Sequence, residues 1–73
     1  MYNMKSVGRV CRDFRMGLGL PLTAVSAATG YSPQNVCHFE QGRNDNTTIF
    51  LWYIAHGLDI DIVIKGVLSD AET

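Results

Sequence analysis

The stretch TGYSPQNVCHFEQG, residues 29–42, carries a helix between its own start and stop signals. Ser32 offers a side-chain oxygen that can accept from the free backbone N–H groups of a helix start. Pro33, with its fixed φ and missing N–H, suits the first helical position. Gly42 can take the left-handed conformation in which many helices end. Between these signals Val36 and Phe39 lie three apart and face one way, while Gln34, Asn35 and His38 fall on other faces. The spacing predicts a helix of about ten residues with an apolar inner side and polar side chains near its start.

Working outward, Gly30 stops a preceding helix, LTAVSAAT at residues 22–29, which Pro21 introduces and whose small residues allow close helix approach. Further upstream, Val7, Val10, Cys11, Phe14 and Leu18 recur every three or four residues. That is the stripe of an amphipathic first helix, with Arg9, Arg12, Asp13 and Arg15 off it and Gly17 and Gly19 at its end. Downstream, RNDN at residues 43–46 reads as a turn. Asn46 or Thr47 then caps a fourth helix to about His56, with Leu51, Ile54, Ala55 and Leu58 as its core stripe. A fifth begins after Asp59 or Asp61 and places Ile60, Val63, Ile64, Val67 and Leu68 at helical spacing. DIDIVI also alternates like a strand, but a lone strand would have nothing to pair with. The expectation is an all-α, compact five-helix single domain over residues 1–73.

Apolar residues make up 47% of the chain and charged ones 18%, enough apolar content for a core in a domain of 73 residues. The net charge of −1 hides an asymmetry. Residues 1–58 carry Lys5, Arg9, Arg12, Arg15 and Arg43 against Asp13, Glu40 and Asp45, a balance of +2. Residues 59–73 carry Lys65 against Asp59, Asp61, Asp70 and Glu72, a balance of −3. A mildly basic body with an acidic tail permits a phosphate-facing surface without demanding one.

The runs TIFLWYIAHGL and DIDIVIKGVL are broken by His56, Gly57, Asp59, Asp61 and Lys65 and fall short of the roughly 20 residues a membrane span needs, so no membrane span is expected. MYNMKSVGRV has no apolar run before a small-residue cleavage site, which points to a cytoplasmic protein. Cys11 and Cys37 lack metal-ligand spacing and read as reduced thiols, so neither metal nor cofactor is expected. No nucleophile-and-base spacing and no phosphate-cradling glycine loop occurs, so no catalytic residue is assigned and the chain reads as a binding module, not an enzyme.

Two short helices joined by a turn around Gly30, the second with polar residues at its start, form the helix-turn-helix pattern, with its core at about residues 20–42. The chain resembles the lambda-repressor-like (Cro/C1-type) helix-turn-helix family. The resemblance is carried by Arg12 or Arg15, Gly19-Leu20, TAVSAAT, Gly30-Tyr31-Ser32, Val36, Phe39 and Glu40-Gln41-Gly42. LWYIAHGLDI, with Leu51, Ile54, Ala55 and Leu58, matches the family's fourth helix. Pro21 and Leu22 stand where the family has Ser or Thr followed by Gln, and RNDN has one basic residue, Arg43, where the family's loop often has Lys or Arg and Pro.

The resemblance implies a transcription regulator, such as a repressor, that binds double-stranded operator DNA as a homodimer. A recognition helix at about residues 33–41 would enter the major groove. Gln34, Asn35 and His38 are its candidate base contacts, since Gln or Asn can pair bidentately with adenine. Ser32, Arg15, Arg43 and Asn44 are the candidate phosphate contacts. Glu40 would repel phosphate and is expected to pair inward with Arg12 or Arg15. The fourth helix is apolar nearly all round, and Ile62, Val67 and Leu68 raise the same question for the fifth, so Phe50, Tyr53, Ile62, Val67 and Leu68 are candidate interface residues within about residues 49–68. The alternative is a module on the same fold that binds a protein partner, as an antirepressor or antitoxin-like subunit would, with weak or no DNA binding.

Overall fold

Asn46, Ser32 and Asp59 each turn a side-chain or backbone oxygen onto the first free N–H groups of a helix, and these caps set the element boundaries. The computed structural model describes residues 4–71, without the side chains of Met4, Lys5, Val67, Ser69, Asp70 and Ala71. Its five helices are α1 (Met4–Gly17), α2 (Leu22–Thr29), α3 (Pro33–Glu40), α4 (Thr47–Ala55) and α5 (Ile60–Ala71). Ser32 Oγ accepts from Asn35 N at 3.2 Å and Asn46 Oδ1 accepts from Ile49 N at 3.2 Å. Asp59 Oδ1 accepts from Asp61 N at 2.9 Å, so α5 starts after Asp59. Among the described residues there is no strand, and DIDIVI is helical from Ile60 onward.

The radius of gyration, 11.4 Å, matches the roughly 11 Å expected of a compact chain of this length. Helix α1 lies against α3, α4 and α5, and α2 lies against α3 and α4. Val7, Cys11, Val25, Val36, Phe39, Ile49 and Tyr53 are fully buried where these helices meet. At Gly8 one helix backbone meets another. A Cβ there would stand 2.5 Å from the carbonyl oxygens of both Phe39 and Glu40, so α1 rests directly on the backbone at the end of α3. On α4, Tyr53 stacks on Phe39 at a centroid distance of 6.0 Å and meets Trp52 edge-on at 5.1 Å.

Three core stripes differ from the sequence expectation. Leu18 falls beyond α1 and is exposed, while Leu20 packs against the core in its place. On α4 the inward residues are Ile49, Trp52 and Tyr53, whereas Leu51 and Ala55 are exposed and Ile54 is half-buried. A run as uniformly apolar as TIFLWYIA has no hydropathy phase, so tertiary partners choose the buried side. On α5, Val63 is buried but Ile60, Ile64 and Leu68 stand about half exposed. The side chain of Val67 lies outside the described ones. No single helix among the described residues is long and apolar enough to cross a membrane.

Candidate nucleic-acid interface

The joint between α2 and α3 is fixed by hydrogen bonds on both sides of Gly30. Gly30, at φ 80°, donates its N–H to Ser26 O at 2.9 Å, and that left-handed residue turns the chain sharply out of α2. Ser26 Oγ donates to Tyr31 O, and Thr29 Oγ1 donates to Val25 O at 2.8 Å. The far end of α3 is closed as firmly. Arg43 N donates to His38 O at 2.9 Å and Gly42 N to Phe39 O at 3.0 Å, with Gly42 at φ 78°. This pair of bonds is the Schellman closure.

The inner face of α3 consists of Val36, Phe39 and Glu40, all buried. Glu40 is 5% exposed and holds three bonds. Arg15 Nε donates to its Oε2 at 2.8 Å, Arg15 Nη2 to its Oε1 at 3.1 Å, and the Tyr53 hydroxyl to Oε2. Arg15 Nη1 donates onward to Leu20 O at 2.7 Å. One carboxylate thus ties α1, α3, α4 and the turn after α1 together. The same contacts move the titrations around it. Hydrogen bonding to Glu40 raises the Arg15 pKa, and burial followed by the Glu40 bond raises that of Tyr53. Burial, with the Glu40 charge behind it, pushes the Cys11 thiol up to about 12.

The expected pairing of Glu40 therefore holds with Arg15, not Arg12. The same observation removes Arg15 from the phosphate contacts, because it is 8% exposed and both ends of its guanidinium are engaged within the core. Arg12 is exposed. Tyr53 likewise leaves the candidate interface, since it is fully buried within the chain and bonded to Glu40. Phe50 is half-buried and packs against the core, whereas Ile62 and Leu68 are exposed. Val67 has no described side chain.

On the outer side of α3, Gln34, Asn35 and Gln41 are exposed and His38 is half-buried. Gln34, His38 and Gln41 stand at i, i+4 and i+7, so they share one ridge opposite Val36 and Phe39, with Asn35 on its flank. Gln41 is the residue that sequence reasoning missed. The sequence pattern puts it in the closing Glu-Gln-Gly, although its seven-residue spacing from Gln34 also sets it on this ridge. Its Nε2 donates to Cys37 Sγ at 3.3 Å. Ser32 is exposed with its hydroxyl oxygen accepting at the helix cap, Arg43 is exposed, and Asn44 is half-buried with Oδ1 buried and without a hydrogen-bond partner.

The ridge is polar and is carried on a helix whose two ends are both fastened. Such a surface can exchange hydrogen bonds with a partner without rearranging. Among the described residues no group of three or more His, Cys, Asp or Glu side chains is placed to hold a metal ion. The chain matches no family model, no curated protein and no solved structure.

Proposed function

We propose that this chain is a sequence-specific DNA-binding regulator of the lambda-repressor-like helix-turn-helix type, with α3 as the helix that enters the major groove. The observation that carries the reading is the two-sidedness of α3. Its inner face is locked through Val36, Phe39 and the Glu40–Arg15–Tyr53 network, and its outer ridge offers Gln34 and His38 with Asn35 beside them. Amide side chains on a rigid helix suit direct readout of base edges, where each bidentate pair discriminates by about 1–3 kcal/mol. In this reading Arg43 and the backbone around Gly42 and Asn44 would meet phosphates at one end of the ridge, and Ser32 at the other. Two copies on a pseudo-palindromic operator would place two such helices about one DNA turn apart.

The test is fluorescence anisotropy against duplexes tiled across the DNA upstream of the chain's own gene, at two salt concentrations. The reading expects saturable binding to one tile, well above a random duplex and weaker in higher salt. Flat curves on every tile would end it.

A protein-binding module on the same fold is the second reading. It is favoured by one observation, the capture of Arg15 by Glu40, which takes away a cation that the first reading would turn toward phosphate. Co-purification with a protein partner from the native host, together with absent duplex binding, distinguishes it.

A further inference from the structure

We infer that the outward face of α2 and α3 meets DNA almost without charge: each copy cancels a single phosphate, through Arg43, and holds the rest of the duplex by neutral hydrogen bonds. The inference rests on the reading of α3 above and states how that face selects its target. Residues 16–42, from the end of α1 through α2 and the turn to the close of α3, hold no Lys or Arg. Their one carboxylate, Glu40, is buried on Arg15. Arg15 is the last cation before this stretch, and it is 8% exposed with both ends of its guanidinium engaged inside the protein. Arg43 is the next cation along the chain and is exposed where α3 closes.

The other cations belong to other surfaces. Helix α1 backs the inner face of α3 through Gly8 and Arg15, and Arg9 and Arg12 are exposed off its buried Val7 and Cys11 side. Lys65 is on α5, which packs against α1, and the side chain of Lys5 lies outside the described ones. Asp45, exposed two residues beyond Arg43, offsets part of even that charge. A hydroxyl such as that of Ser32, or a backbone N–H, can bond a phosphate oxygen without cancelling its charge. Each cancelled phosphate adds about −0.9 to the slope of log affinity against log salt. Two copies acting through Arg43 therefore give a slope of about −2, a loss of roughly 15-fold between about 50 and 200 mM salt, where 6–10 phosphate contacts would lose about 10³–10⁵. Binding to random DNA, which is almost wholly electrostatic, is weak for the same reason, so sequence decides occupancy at low salt as well as at high.

The test is a salt titration of the whole chain on the tile that binds and on a random duplex, from about 50 to about 200 mM. Working at about pH 8, above the ordinary imidazole value of about 6.5, keeps histidine charge out of the slope. The parent slope should be no steeper than about −2. Arg43→Gln should bring it close to zero while the preference for the tile over a base-substituted tile is kept, since the backbone N–H of Arg43 closes α3 whatever its side chain. Asp45→Lys should steepen the slope by about one per copy and raise the affinity for random duplex. Arg12→Gln should leave both unchanged. A loss of about 10³ or more over the range, a slope indifferent to Arg43→Gln or Asp45→Lys, or one that falls with Arg12→Gln would overturn the inference. Saturable, sequence-selective binding with such a steep slope ends this inference alone, whereas flat curves on every tile end it together with the reading of α3.

Discussion

Glu40 on α3 sits inside the protein with two partners, whereas Ile60, Ile64 and Leu68 on α5 stand about half exposed, the reverse of where hydropathy alone would put them. Around α3 the packing is specific. A buried carboxylate is tolerable only when its lone pairs are filled, so the positions of Arg15 and Tyr53 relative to α3 are fixed by chemistry rather than by volume. Around α5 the packing is generic, with Val63 and the close approach of Gly66 to Val10 holding it on α1. The difference separates a frame that must hold one geometry from a surface left over for something else. It also predicts an uneven response to mutation.

Removing the specific frame should have the largest effect. Glu40→Ala leaves the Arg15 guanidinium buried without its counter-charge, a change that typically destabilises by about 3–5 kcal/mol. A domain of this size has roughly 4–11 kcal/mol in all, so urea unfolding should show a large loss or an unfolded chain. A loss below about 1 kcal/mol would mean that the network is incidental and would break the comparison. Glycine substitutions sharpen it. At Gly8 a methyl group meets backbone carbonyls of α3, which cannot step aside, and Gly8→Ala should lose about 1–3 kcal/mol despite the better helix propensity of alanine. At Gly66 the obstacle is the Val10 side chain, so Gly66→Ala should lose clearly less in the same measurement.

The same contrast decided what could be read from the sequence. Helix ends were legible because Ser32, Asn46, Asp59, Gly30 and Gly42 act locally, each on a backbone group a few residues away. The inner face of α3 was legible for the same reason, since Val36 and Phe39 sit three apart among polar residues. The inner face of α4 was not. Ile49, Phe50, Leu51, Trp52, Tyr53 and Ile54 are all apolar enough to be core, and what selected Tyr53 was a hydroxyl partner thirteen positions away on α3. The inward turn of Arg15 was not legible for a related reason. A helix-borne arginine beside a basic surface looks like a phosphate contact until its carboxylate is located, and that carboxylate is twenty-five positions away. On α5 periodicity gave the helix correctly but could not say how much of its apolar side the rest of so small a chain would cover.

Alkaline titration should also discriminate between the two regions, by a smaller amount at moderate pH. Cys11 keeps its proton in the folded state up to about 12, against an ordinary value of 9.0, because it is buried and faces the Glu40 charge. The unfolded chain gives up that proton first, so this contribution is complete below pH 9 and is lost as the pH rises toward 12. Tyr53, also raised by burial, adds to the loss above its ordinary value of 10.0. Each group contributes up to about 1.4 kcal/mol per pH unit within its window. Melting temperature followed from pH 8 upward should therefore stay level and then fall, and Cys11→Ala should flatten the first part of that fall. An unchanged slope in the variant would place the alkaline lability elsewhere, α5 included.

The smallest effect on stability should come from the outer ridge of α3. Gln34→Ala, His38→Ala and Gln41→Ala remove side chains from a helix already closed at both ends by Ser32 and Gly42. All three lie on the side of α3 away from Val36 and Phe39, so unfolding free energies should stay within about 0.5 kcal/mol of the parent chain. Binding should respond differently along the ridge. Gln34→Ala is expected to weaken a specific duplex by about 1–3 kcal/mol, and Asn35→Ala by less, because Asn35 lies on the flank and its backbone N–H is held in the cap at Ser32. If the order were reversed, with Asn35 dominant, α3 would have to approach DNA turned about its own axis from the position the ridge defines. If neither variant changed affinity while Arg43→Ala did, binding would be electrostatic and indifferent to sequence, and the polar outer face of α3 would be no more selective than the apolar outer face of α5.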